Sequence, residues 1–293
     1  MTARPVLVIG VAGLVGSHVR AAFSGREIAA THHRTTVPGA EPLDITDADA
    51  TRALVERVRP DVVVLAAADP HVERCERDPA QTRRVNVLGA QHVAAAAADV
   101  GALLVVFSTD YVFDGRDGPY AESRVPAPLN EYGRQKVAVE AIARSLPRHI
   151  ICRTSGVFGW ETDRKNFVCQ LVDHLRARRR FLVPSDQVIT PTYAPSLATA
   201  LRRLIDGGHV GLFHVAGPRI LYRSEFARLA AQTFGLDDSL VDERPTSELG
   251  LAAARPLNAG LSTERLRSAI EDGLVDPGTA LAEMRATEAI VSR

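Results

Sequence analysis

The sequence predicts an α/β protein in which a doubly wound parallel sheet is followed by a small C-terminal lobe. Three observations carry this. A β-branched run at residues 5–9 leads straight into Gly10, Gly13 and Gly16 and on into a helical pattern. Short apolar runs of strand length then alternate with helical stretches to about residue 155, the pattern of a parallel sheet with helical crossovers. Beyond Trp160 the alternation loosens into shorter pieces. The expected division is a sheet domain over 1–155, to which 190–216 returns, and a lobe made mainly of 156–293.

Composition sets the class of protein. The 293 residues suffice for a large core, and 46% hydrophobic with 24% charged residues is ordinary for a soluble globular chain. Lys+Arg and Asp+Glu are both 35, which gives no basis for expecting nucleic acid or an anionic membrane as a partner. Cys75, Cys152 and Cys169 are odd in number, far apart and without a Cys-x-x-Cys pair. That favours a reducing, cytoplasmic location and argues against a disulfide frame or a zinc site; no metal is expected. The uncharged stretch from Pro5 to His18 imitates a signal peptide, but glycines at fixed spacing fit a turn better. No uncharged apolar run reaches membrane-spanning length.

Taken in order, residues 5–9 form a buried strand, and 10–19 a glycine-rich turn opening a helix. Such glycines allow a tight bend, close approach of backbone to a pyrophosphate and close helix–strand packing. The phosphate then meets unpaired N–H groups at the helix N-terminus. A second strand at 27–31 ends in His32-His33-Arg34. A free ribose 2′-hydroxyl usually meets an acid here and a 2′-phosphate an arginine. The basic cluster therefore favours NADPH, with NADH left open and a solvated basic loop as the competing reading. Residues 43–47 form a short extended piece in which Asp44 faces an adenine or is a plain turn residue, and Thr46 or Asp47 caps the next helix.

Residues 61–68 read as a strand whose end turns small at Ala66, Ala67 and Ala68, as close approach by a flat ligand requires. A polar loop is expected over 71–78, ending at Pro79, and a long helix over 80–100 carrying Asn86. Asn86 is either a buried satisfier of backbone groups or helix surface.

The central stretch follows. An apolar strand at 102–107 runs into Ser108-Thr109-Asp110-Tyr111-Val112-Phe113-Asp114-Gly115, then a loop, then a helix to about residue 146 bearing Tyr132 and Lys136. At i and i+4 these two side chains share a face. A nearby ammonium favours the phenolate and lowers the phenol's pKa, which makes Tyr132 a general acid, and Thr109 supplies a second hydrogen bond to a substrate oxygen. The alternative is a half-buried aromatic beside a solvated lysine.

A strand at 149–152 leads into Arg153-Thr154-Ser155-Gly156. Later pieces are a helix over 165–180 with a basic, solvated end, a strand at 181–183, and a helix over 194–205. A strand at 212–215 and a helix to 234 capped by Ser224 come next, with short segments from Asp237 onward.

With these motifs in place, the chain resembles the extended short-chain dehydrogenase/reductases. More narrowly it is similar to the branch containing dTDP-4-dehydrorhamnose reductase and the regulatory β-subunit of methionine adenosyltransferase. The resemblance rests on the glycine triplet, the block from Ser108 to Gly115, Pro128-Leu129-Asn130-x-Tyr132-Gly133-x-x-Lys136, Arg153-Thr154-Ser155, Asn166-Phe167, Pro191-Thr192 and Arg255-Pro256-x-Asn258.

It implies that Tyr132 donates a proton to a substrate carbonyl oxygen. Lys136 then tunes Tyr132 and holds the nicotinamide ribose, and Thr109 bonds the same oxygen. It implies a cofactor set of Gly10, Ala12, Gly13, Leu14, Val15, Gly16, His33, Arg34, Asp44, Ile45, Ala66, Ala67, Ala68, Asn86, Ser108, Tyr132 and Lys136. The implied substrate set is Thr109, Asp110, Tyr111, Val112, Phe113, Arg153, Ser155, Asn166, Gln187, Thr192, Arg255 and Asn258. The implied reaction is reduction of a nucleotide-linked 4-keto-6-deoxysugar by the nicotinamide. Two alternatives stay open: a non-catalytic regulatory subunit of a methionine adenosyltransferase, and an epimerase or dehydratase that retains NAD. A homodimer also stays open. One departure stands out: the family's tryptophan after Arg-Thr-Ser is Gly156 here, and Trp160 lies four residues later.

Overall fold

The computed structural model describes residues 4–271 and 273–291. Seven strands build the main sheet: β1 (Val6–Ile9), β2 (Ile28–His32), β3 (Glu41–Pro42), β4 (Val62–Leu65), β5 (Leu103–Thr109), β6 (His149–Thr154) and, much later, Gly211–His214. Between them lie α1 (Leu14–Ala22), α2 (Ala48–Val58), α3 (Val72–Arg77), α4 (Pro79–Arg83), α5 (Gly89–Asp99) and α6 (Glu131–Arg144). The lobe adds β7 (Val157–Phe158), α7 (Phe167–Arg176), β8 (Phe181–Pro184), β9 (Val188–Ile189) and β10 (Thr192–Tyr193). Then come α8 (Ala194–Asp206), the edge strand β11 (Gly211–His214), β12 (Leu221–Tyr222), α9 (Arg223–Thr233), β13 (Val241–Arg244), α10 (Glu264–Ala269) and α11 (Pro277–Val291).

The sheet order is β11-β6-β5-β4-β1-β2-β3, and all neighbours are parallel. The near-continuous apolar strands follow from burial on both faces. Side chains alternate across each strand. Val6, Val8, Val62 and Val64 therefore join α1 and α8 in one core, while Leu7, Ile9, Val63 and Leu65 join α5 and α6 in the other. Strand order reverses between β1 and β4, so the crevice for a ligand opens above their carboxyl ends. A third core in the lobe gathers Phe158, Trp160, Leu171, Val183, Phe226, Leu281 and Met284.

Several elements differ from expectation. Residues 72–77 are helical, not a polar loop: this short helix buries only Cys75, so no apolar period shows in the sequence. The helix expected over 80–100 is split by a wide π turn at Arg84–Leu88, a form common at functional sites. The piece expected to be extended at 43–47 is a turn beyond β3, and Asp47 rather than Thr46 caps α2 by accepting the Ala50 N–H at 2.9 Å. Helix α7 stops at Arg176, with Arg178 left-handed at φ 54°, because the following basic residues have no core to cover. Ser224 lies inside α9; Tyr222 is its N-cap, and the Glu225 carboxylate accepts the Tyr222 N–H at 2.9 Å.

Candidate active site

The glycine turn stands directly over the strand reversal. Gly10 has φ +96°, and a Cβ there would lie 2.7 Å from the Ala67 nitrogen; a Cβ on Gly16 would overlap the Gly10 carbonyl oxygen. Both are glycines because backbone packs on backbone. Gly13 is different: a Cβ there would meet nothing nearer than 3.8 Å, and as N-cap of α1 it makes no side-chain cap. The first-turn N–H groups of α1 thus stay available to an anion.

From here a groove of about 470 Å³ runs past Gly10, Ala12, Gly13, His33, Arg34, Asp44, Ile45, Ala66, Ala67 and Ala68. Arg74 and Arg84 also line it, two cations that the sequence reading did not single out. Asp44 accepts from the Thr46 backbone N–H at 2.9 Å, and this bond holds its carboxyl below the ordinary range despite some burial. His33 Nε2 lies 3.7 Å from that carboxylate, which leaves Arg34 exposed. A bare helix N-terminus at one end and a basic pair at the other fit a dinucleotide bearing a 2′-phosphate.

Seven residues expected at the cofactor do not line this groove, Tyr132 and Lys136 among them. Leu14, Val15 and Gly16 turn into α1, where Val15 packs on the core and Gly16 seats under Gly10. Asn86 is buried, accepts the Asp69 N–H at 2.7 Å and donates to Gln135 Oε1 at 2.7 Å. It satisfies backbone and shapes the loop after β4. Ser108 is buried and donates to Glu140 at 2.6 Å.

Beyond the groove, β5 ends at Thr109 and α6 begins after Asn130. The Asn130 side chain caps α6 by accepting the Gly133 N–H at 2.9 Å, and donates to the Ala254 carbonyl at 2.7 Å. Tyr132, Lys136 and Glu140 then follow one face of the helix at i, i+4 and i+8. Lys136 Nζ sits 5.7 Å from the Tyr132 ring centre and donates to the Phe107 carbonyl at 2.9 Å. Burial pushes the Lys136 ammonium down to about 8, against the opposing pull of Cys75 and Glu140.

The Tyr132 phenol behaves opposite to expectation. Burial and then the charge of Asp110 raise its pKa above the usual range, while the adjoining Thr109 hydroxyl works the other way. Any lowering by the Lys136 ammonium, itself desolvated and donating to a strand carbonyl, is outweighed. Tyr132 therefore keeps its proton at neutral pH, which suits a donor.

On the substrate side, Asp110 is buried and accepts from Thr109 at 2.8 Å and Ser155 at 2.6 Å. Burial lifts its carboxyl to about 6 against those bonds. Tyr111 meets the Tyr132 ring edge-on at 6.0 Å. Arg255 lies 5.9 Å from the Tyr111 ring centre but turns its guanidinium to Glu73 at 2.8 Å.

The remaining expected contacts are occupied within the protein. Val112 and Phe113 are buried because the turn Asp110–Val112 points them inward, where Phe113 stacks on Tyr120 at 4.2 Å. Arg153 is buried in a two-pronged pair with Glu140, at 2.7 and 2.8 Å. Ser155 is buried against Asp110, and Thr192 donates to the Ser155 carbonyl at 2.7 Å. Asn166 caps α7 and donates to Gly159 at 2.8 Å. Gln187 donates to Thr246 at 3.0 Å, and Asn258 to the Gly118 carbonyl at 2.9 Å. Gly156 is left-handed at φ +51° with Ile189 beside it, and Trp160 lies in the lobe core, donating to Met284 at 2.6 Å. Glu140 escaped the sequence reading, although an acid in register with two inward-facing residues signals a buried partner.

Comparison with known proteins places the chain in a family. The family model described as the RmlD substrate binding domain matches residues 4–288. A dTDP-4-keto-6-deoxy-D-glucose reductase from Streptomyces niveus is 35% identical over 90% of this chain and 90% of its own. A dTDP-4-dehydrorhamnose reductase from Salmonella typhimurium is 33% identical over 89% and 90%. The structure of a dTDP-4-dehydrorhamnose reductase from Bacillus anthracis in complex with NADP superposes with a TM-score of 0.88, at 29% identity over 97% of this chain and 99% of that one. The chain belongs to the RmlD substrate binding domain family, within the oxidoreductases of the extended short-chain dehydrogenase/reductase class.

Proposed function

We propose that this chain reduces the 4-keto group of a nucleotide-linked 6-deoxysugar, with NADPH as the reductant and Tyr132 as the proton donor. The observation that carries the reading is the meeting of Thr109, Tyr132 and Lys136 beyond the groove, at the carboxyl end of β5. When bound, the reduced nicotinamide supplies the hydride. The protein binds the pyrophosphate at the α1 N-terminus and receives the 2′-phosphate beside Arg34. Thr109 and Tyr132 orient the carbonyl oxygen, and Tyr132 passes it a proton as charge develops there. The Lys136 ammonium then offsets the phenolate left behind.

The direct test is incubation with NADPH and dTDP-4-keto-6-deoxysugars, followed by loss of reduced-nicotinamide absorbance. No turnover with any keto sugar in a panel of several counts against the reading.

Two further outcomes are expected. Removing the exposed guanidinium in Arg34→Ala should weaken NADPH by about 10-fold or more while leaving NADH nearly unchanged, since a charge-assisted bond is worth ~1.5–3 kcal/mol. Equal losses for both cofactors, measured by KM, would argue against Arg34 as the phosphate contact. Because Lys136 is cationic only below its lowered pKa, kcat/KM should fall as pH rises through about 8. A profile flat up to about pH 10, where an ordinary lysine titrates, would remove Lys136 from this role.

A further inference from the structure

Where the lobe meets the sheet lies a cation, Arg223, for which the scheme above has no use. Arg223 opens α9, and its backbone N–H donates to the Gln187 carbonyl at 2.8 Å. Its side chain runs across Phe167, with the guanidinium carbon 4.6 Å from the ring centre. The guanidinium stands against the Tyr111 hydroxyl, and its charge reaches Asp110. Tyr111 in turn meets Tyr132. Arg223 is therefore one aromatic side chain away from the proton donor.

The fold compensates this placement only in part, through the Tyr111 hydroxyl, the Asp110 charge and the Phe167 ring. Among the described residues Arg223 forms no salt bridge, and its Nε is buried with no hydrogen-bond partner. A buried N–H left unpaired costs about 1–3 kcal/mol. A cation in the first turn of a helix also faces the positive end of the helix dipole. Arg255, on the other side of Tyr111, is by contrast drawn off to Glu73. A guanidinium so exposed to cost is matched by an anion that arrives with the ligand.

We propose that Arg223 binds the diphosphate linking sugar to nucleotide, and so sets the distance from that anion to the reacting carbonyl. The proposal rests on the nucleotide-sugar reading above. With the keto oxygen between Thr109 and Tyr132, the sugar ring extends outward along Tyr111. A neutral deoxysugar carries no charge of its own, so the first anionic oxygens met beyond the ring are those of the diphosphate. A planar guanidinium steadied on an aromatic face is suited to engage two of them together.

Calorimetric titration of the NADP-loaded protein with dTDP, and separately with thymidine, tests this in wild type, Arg223→Lys and Arg223→Ala. The Ala variant should raise the dTDP Kd by about 10- to 100-fold, the Lys variant should recover part of the loss, and thymidine should bind all three alike. NADP affinity should not change, which also reports an intact fold. Unchanged dTDP affinity in the Ala variant overturns the assignment while sparing the reductase reading. Failure of wild type to bind dTDP, with NADP still bound, overturns both.

Discussion

Tyr132→Phe is expected to lower kcat by about a hundred- to ten-thousand-fold, the usual contribution of a positioned general acid. The substitution deletes one oxygen and leaves the ring, so the contact with Tyr111 and the course of α6 should persist. Burial and Asp110 hold the phenol protonated. Thr109 is a poor substitute because its own hydroxyl already donates to Asp110. The loss should therefore fall on kcat, with NADPH affinity little changed. Steady-state rates and a nucleotide-binding titration check both halves. A variant that keeps its rate within a few-fold of wild type would remove Tyr132 from the proton-transfer step.

The second large effect is on stability. Glu140→Ala should destabilise the fold by about 3–5 kcal/mol, because removing one partner of a buried ion pair strands the other. Burial alone disfavours the Glu140 charge, yet Arg153 and Ser108 hold its carboxyl below the ordinary range. Its two oxygens accept from Arg153 twice, from Ser108 at 2.6 Å and from Arg144 at 3.0 Å. Among the described residues Arg153 pairs with no other carboxylate; it is buried, and its Nη1 already lacks a hydrogen-bond partner. The melting temperature should drop by on the order of 10 °C. Converting both residues to methionine together should recover much of the loss, since a packed apolar pair often equals a buried salt bridge. Thermal and denaturant unfolding measure this; a single variant as stable as wild type would show that the pair is not closed in solution.

What the sequence made legible is what neighbouring residues decide. The run into Gly10 specifies strand, turn and helix within a dozen positions, and the spacing of Tyr132 and Lys136 puts them on one face whatever packs around them. The assignments that failed depend on partners carried by other elements. Arg153 looked like a ligand contact because its match, Glu140, lies on another element. Val112 and Phe113 followed their motif but not its turn, which rotates them into a core shared with Tyr120. The direction of the Tyr132 shift could not be read from spacing, since it depends on how deeply the corner is buried and on the Asp110 charge beside it. Arg223 went unnoticed because no motif includes it.

The path of the chain has a mechanical consequence. After β6 it enters the lobe, comes back to pair β11 with β6, returns to the lobe for α9, and dips once more into the sheet core through Leu266 and Ile270 before α11 closes the lobe. Stitched this way, the two halves cannot swing apart like beads on a single string, and neither should melt alone. Transplanting the lobe from a homologue would mean exchanging several separate stretches at once, each with its seam on the sheet.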